Sequence, residues 1–166
     1  MEIGIQLDEL YPLQAELDQE IHEKHGVDYP STFERRVLAL LVEVGEFANE
    51  TRCFKFWSLK GPSPKEKILD EYADGMHFFL SLGYYLGYRA WTHYYKEPKN
   101  KDLSHHLLEV YGEISKFRLR PTFKQYEKAF GLYLDILPLL GISGKEAKEA
   151  YRQKLGENHV RQDTGY

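Results

Sequence analysis

Three glutamates, Glu43, Glu46 and Glu50, stand at offsets of three and four in the segment ALLVEVGEFANE. At about 100° per residue they fall within roughly 60° of one another on one helical face. Their neighbours Leu40, Leu41, Val42, Val44, Phe47 and Ala48 are apolar, and no Lys or Arg occurs from Val37 to Thr51. A second segment, DEYADGMHFFL, sets Glu71 and Asp74 three apart with Phe78 one turn further on, again without Lys or Arg from Ile68 to Tyr88. A single Glu-x-x-Glu is ordinarily a solvated helix face, and Lys67, four residues before Glu71, offers that residue an ordinary partner. Five carboxylates on two apolar helices are different, because they repel one another unless a positive charge intervenes. The least strained arrangement has the two helices face each other and hold a hard divalent cation. All-oxygen ligation selects magnesium, with manganese as the alternative, over zinc.

Rival chemistries fit less well. A di-iron carboxylate bundle needs Glu-x-x-His on two helices. None of the seven histidines has a Glu three residues before it, and only Asp74–His77 and Asp102–His105 come close. The one cysteine, Cys53, forms no internal disulfide, and no Cys/His zinc spacing is present. Cys53, His77, His105 and His106 are read as structural.

The elements that must position these carboxylates read as helices. Four segments open with a hydroxyl residue and a Glu or Gln three residues later, the signature of a capping box: Ser31–Glu34, Ser63–Glu66, Thr122–Gln125 and Ser143–Glu146. Asp102 suits the cap of a further helix from Leu103 to about Phe117, and Leu7 to about Lys24 reads as a first amphipathic helix, starting near Tyr11 if Pro12 opens it. Breaks at Gly26–Pro30, Leu59–Pro62, Pro98–Lys101, Pro121 and Gly141–Gly144 agree. No stretch alternates with hairpin chemistry. The spacing therefore predicts one all-α domain over residues 1–166, a multi-helix bundle of about six helices, with Gly156–Tyr166 as a polar tail able to close over a ligand.

Charge sharpens the picture. The chain has 166 residues with 22 basic and 26 acidic side chains, a net −4. The two acidic segments hold six of the acids, counting Asp70, which leaves 20 acidic against 22 basic residues elsewhere. The mild net charge hides a strong local one. It also argues against a nucleic-acid binder. No apolar run is long enough for a membrane span, and MEIGIQLDEL has no basic start followed by an apolar stretch. A cytoplasmic protein is the expectation.

Read in order, Glu-x-x-Glu, a linker of about two dozen residues and Glu-x-x-Asp resemble the signature of the all-α nucleoside triphosphate pyrophosphatases, the MazG-like superfamily. Within it, TRCFKFWS (51–58), DGMHFFLSLG (74–83), YRQKLGENHVRQDTGY (151–166) and LQAELD near the start are similar to the dimeric dUTP diphosphatases. The resemblance implies hydrolysis of dUTP, with dUDP left open, to dUMP and pyrophosphate. It implies metal ligation by Glu43, Glu46, Glu71 and Asp74 with Glu50 near a second ion, and Glu43 or Glu46 activating water. It implies triphosphate contacts from Lys154, Arg161 and Tyr166, with Asn158 holding the nucleotide. Lys55, Trp57 and Phe78 fall in the substrate-binding stretches, Trp57 and Phe78 where the uracil is framed, and Gln14 where the first helix nears the base. Asp18 departs from the asparagine of several relatives, and an ionised Asp only accepts hydrogen bonds.

The run from Phe78 to Tyr95 holds eight aromatics, more than one face of a small monomer buries, so part of it is expected at a homodimer interface. The resemblance to a dimeric family points the same way. Two other readings stay open: a pyrophosphatase for another nucleoside triphosphate, and a non-catalytic helical module that binds a protein.

Overall fold

Asp28 starts the helix that carries the first acidic motif. Its carboxylate accepts from the Ser31 backbone N–H at 2.8 Å, and the Ser31 hydroxyl accepts from the Asp28 N–H at 3.2 Å. The capping box is thus Asp28–Ser31 rather than Ser31–Glu34, and helix α2 spans Tyr29–Thr51. Pro30 falls in its first turn, where a missing N–H costs nothing. Glu34 is free to pair instead with Arg118, at 2.6 Å.

The computed structural model describes residues 2–165. Among them the order is β1 (Gly4–Gln6), α1 (Leu10–His25), α2, α3 (Lys65–Leu86), β2 (Thr92–Tyr94), α4 (Leu103–Leu119), α5 (Phe123–Leu134), α6 (Ile136–Leu139) and α7 (Gly144–Asp163). Six helices of 12 or more residues and the single-turn α6 make an all-α bundle. Asp102, Thr122 and Ser143 cap α4, α5 and α7 as expected. Two boxes differ. Gln125 sends its amide to Glu113 instead of back to its cap. Helix α3 begins after Pro64 with no side-chain cap, because the Ser63 hydroxyl donates to Glu50 at 2.5 Å. A charge-assisted bond to a carboxylate outcompetes a cap.

The expected tail from Gly156 is corrected: α7 continues to Asp163. Polar contacts dock it on α1, His159 against Glu20 at 2.7 Å and His25 against Gln162 at 3.1 Å. These outweigh the roughly 1 kcal/mol that a helical glycine costs. A two-stranded antiparallel sheet, with Ile5 opposite His93, is also present where no strand was expected. Its three-residue strands are too short to show alternation. A Cβ on Gly4 would lie 2.3 Å from the His93 carbonyl oxygen, so only glycine allows that approach.

Helix α3 is central, packing against α2, α7 and α1. Tyr72 of α3 and Tyr133 of α5 stack at 4.3 Å and exchange hydrogen bonds, each hydroxyl donating to the other's carbonyl at 2.9 and 2.7 Å. Phe79 stacks on Phe130 at 4.5 Å, and Leu40, Val44 and Phe47 of α2 are fully buried. Most of the aromatic run is consumed inside the chain: Tyr88 and Trp91 pack on Tyr126, and Trp91 also on Phe130. Of its eight aromatics, Tyr85 and Tyr94 are exposed.

Candidate active site

Helix α2 brings Glu43, and α3 brings Glu71 and Asp74, so that one carboxylate oxygen of each lies within 4.8 Å of the others. All three are half-buried. Burial, with the charges of Glu71 and Glu46, raises the Glu43 pKa. Burial, then Asp74 and Asp70, pushes Glu71 up to about 7. Burial pushes Asp74 up to about 6 although Lys154 pulls the other way. The shifts share one physical cause: three oxygen donors are crowded in a desolvated place with too little positive charge. A hard divalent cation fits that donor set and relieves that deficit.

The other two carboxylates stand apart from the trio. Glu46 is exposed, one turn along α2, near enough for its charge to raise Glu43 and Glu71. Glu50 accepts from Ser63 and lies 3.9 Å from Lys67. The partnership expected between Lys67 and Glu71 is therefore replaced by one with Glu50.

Cations absent from the acidic stretches of α2 and α3 arrive from α7. Lys154 is buried, its ammonium 2.9 Å from Asp70, 3.5 Å from Asp74 and 3.7 Å from Glu157. Arg161 donates to Asn158 at 3.4 Å, and its charge lowers the cost of ionising Glu43. A cleft of about 260 Å3 opens between α1, α2, α3 and α7, lined by Glu43, Asp74, His77, Phe78, Asn158 and Arg161 together with Leu17, Ile21 and Gln162. It holds carboxylates, a guanidinium, an aromatic face and an amide in one place. That combination suits a ligand with an anionic part and a flat, partly polar ring.

Gln14 and Asp18 lie beneath this cleft, fully buried. Asp18 accepts from Gln14 Nε2 at 2.9 Å, from the Tyr29 hydroxyl at 2.8 Å and from the Ser81 hydroxyl at 2.8 Å. Gln14 Oε1 accepts from the Tyr151 hydroxyl at 2.8 Å. Trp57 and Lys55 are not brought to the cleft. They sit on the segment after α2, Trp57 65% exposed against Phe54 and Phe56, and Lys55 over the Phe54 ring. Tyr166 lies outside the described residues.

His77, read as structural, and Asp70, given no role, also belong here. His77, three after Asp74 on α3, lines the cleft, a position that helical spacing alone would have flagged. Asp70 takes the shortest contact with Lys154, and nothing in its own segment announces it.

A family model described as dUTPase matches residues 6–166. No curated protein matches the chain.

Proposed function

The chain belongs to the dUTPase family, whose reaction is hydrolysis of dUTP, and we propose that it performs that reaction at Glu43, Glu71 and Asp74, releasing dUMP and pyrophosphate. The single observation that carries this reading is the convergence of three half-buried carboxylates within 4.8 Å, on a cleft that Arg161 and Phe78 also line.

Magnesium held by Glu43, Glu71 and Asp74, with manganese as a substitute, would supply an activated water and neutralise part of the triphosphate charge. Glu43, half-buried beside Glu71, would accept a proton from the attacking water. Glu46, exposed one turn away, is the other carboxylate proposed for that role or for ligation, and Glu50, which accepts from Ser63, would lie near a second ion. The water oxygen bonds to the α-phosphorus, the bond from that phosphorus to the bridging oxygen breaks, and pyrophosphate leaves. Arg161, with Lys154 once it is drawn from Asp70, would take up the charge that develops on the pyrophosphate. Asn158 and Phe78 would hold the nucleoside, and Tyr166 would add a triphosphate contact.

Homodimerisation supplies the part of the site that one chain leaves apart. Leu38 and Val42 of α2 are 62% and 52% exposed, and Phe56, Trp57 and Leu59 follow the same helix with equal exposure to solvent or more. Pairing of two copies across this surface would cover it and place Trp57 and Lys55 against bound nucleotide.

The test is product identity across a substrate panel. Incubated with magnesium and each deoxynucleoside triphosphate, the protein should release pyrophosphate from dUTP and little from dTTP or dCTP. Release of inorganic phosphate instead, or equal turnover of all four bases, would overturn the proposal.

A further inference from the structure

The small sheet has one covered edge and one open edge. Leu7 N–H donates to the Trp91 carbonyl and Tyr95 N–H to the Ile3 carbonyl, both at 2.9 Å, with Ile5 opposite His93 between them. In an antiparallel ladder the residues between such pairs turn their backbone groups the other way. The outer edge of β1 is therefore that of Gly4 and Gln6, and α7 packs against this strand, Lys148 Nζ donating to the Gln6 carbonyl at 3.1 Å. The outer edge of β2 is that of Thr92 and Tyr94. Among the described residues no hydrogen bond engages their outward N–H or carbonyl groups, and both residues are exposed.

That edge borders a groove of about 750 Å3 between β2 and α5. Three exposed lysines line it, Lys96 just past the strand and Lys124 and Lys128 one turn apart on α5. Glu127, the acidic residue in the lining, is engaged by the Tyr88 hydroxyl. Lys128 lies 3.5 Å from Glu113, and no ion pair among the described residues involves Lys96 or Lys124. A lysine beside an edge strand is a common guard against unwanted pairing. Lys124 and Lys128 stand on a different element, however, and line the place that an added strand would fill. None of these residues lines the carboxylate cleft.

We propose that the groove between β2 and α5 binds an extended acidic peptide segment of another protein, added as a third strand against Thr92 and Tyr94. Main-chain hydrogen bonds along the edge set the register of such a complex, and the lysines give it a preference for Asp and Glu side chains. A second copy of this chain is the poorer occupant, because pairing β2 with β2 would set one lysine cluster against another. Such docking is independent of the dUTP reading above.

Two readouts on the full-length protein test this. In fluorescence anisotropy, a labelled short peptide of alternating Glu and Val should bind saturably, and the same peptide with Lys in place of Glu should not. Lys124→Glu with Lys128→Glu, both at exposed positions, should weaken the acidic peptide at least about fivefold. In amide hydrogen exchange, Thr92 and Tyr94 should slow at least about tenfold in the complex. Tyr94→Pro, a substitution tolerated where an edge N–H faces solvent, should weaken the peptide with both lysines intact. Failure of the acidic peptide to bind, wild-type affinity in the double lysine variant, or unchanged exchange at Thr92 and Tyr94 would overturn the proposal. Tighter binding of a short oligothymidylate than of the peptide would overturn it as well.

Discussion

The ammonium of Lys154 lies 3.5 Å from the carboxylate of Asp74. Helices α2 and α3 contain no cation across their acidic segments, and α7, the last helix, inserts one. Its shortest contact is to Asp70, at 2.9 Å, so the ammonium balances the rim of the carboxylate cluster while leaving Glu43, Glu71 and Asp74 facing one another.

Replacing that cation should separate stability from catalysis. Lys154→Met should cost the metal-free protein roughly 1–3 kcal/mol, less than a fully buried pair because Asp70 is half-exposed. Urea unfolding in EDTA reads this directly. Magnesium should restore much of the lost stability, by filling the charge deficit, yet kcat/KM for dUTP should remain low because the leaving pyrophosphate lacks its partner.

The raised carboxylates set a pH window. Glu71 titrates near 7 and Asp74 near 6 in the folded protein, above their ordinary values of 4.5 and 3.8. The native state then holds protons that the unfolded chain has released. Their stabilising contribution is complete below the ordinary values and is lost as pH rises through 6 and 7. Metal-free protein should accordingly melt lower at pH 8 than at pH 5.5 as far as this cluster contributes, in scanning calorimetry with EDTA. Magnesium competes with those same protons, so its affinity should climb over that interval.

Close packing behind the site gives a mutational test of the fold. A Cβ on Gly75, next to Asp74, would fall 2.2 Å from the Tyr133 hydroxyl oxygen, which itself is held by the Tyr72 carbonyl. Gly75→Ala should therefore destabilise by about 1–3 kcal/mol, despite the better helix propensity of alanine. It should also lower activity by moving Asp74, which denaturant titration alongside turnover will separate from simple unfolding.

The acidic helices were legible because helical periodicity and the absence of nearby cations are both one-dimensional signals. The capping residues of α4, α5 and α7 were legible for the same reason. The C-terminal half of α7 was not, since it is docked by His159–Glu20 and His25–Gln162, pairs whose members lie more than a hundred positions apart. Ser63 reads as a cap by spacing and serves Glu50 instead, a choice made by what α2 places beside it. Gln14 and Asp18 were marked from the resemblance as substrate-binding residues; their burial with Tyr29, Ser81 and Tyr151 is a shell that only tertiary structure reveals.

The surface formed by Leu38, Val42 and the segment around Trp57 yields a prediction about assembly. Wild-type protein should sediment at twice the chain mass, and Leu38→Glu with Val42→Glu should return it to the monomer. Trp57→Ala should change folding stability by no more than about 0.5 kcal/mol, because its ring is 65% exposed, and yet weaken dUTP binding if the proposed dimer sets that ring against nucleotide.

Glu43, Glu71 and Asp74 together form the proposed reaction centre. Pyrophosphate release from dUTP, measured with magnesium for wild type, Glu43→Gln and Asp74→Asn after each is shown by circular dichroism to be folded, tests it most directly. Both variants should lose at least about 100-fold in turnover, with magnesium binding by calorimetry weakened in parallel. Folded variants that hydrolyse dUTP at the wild-type rate would contradict the account.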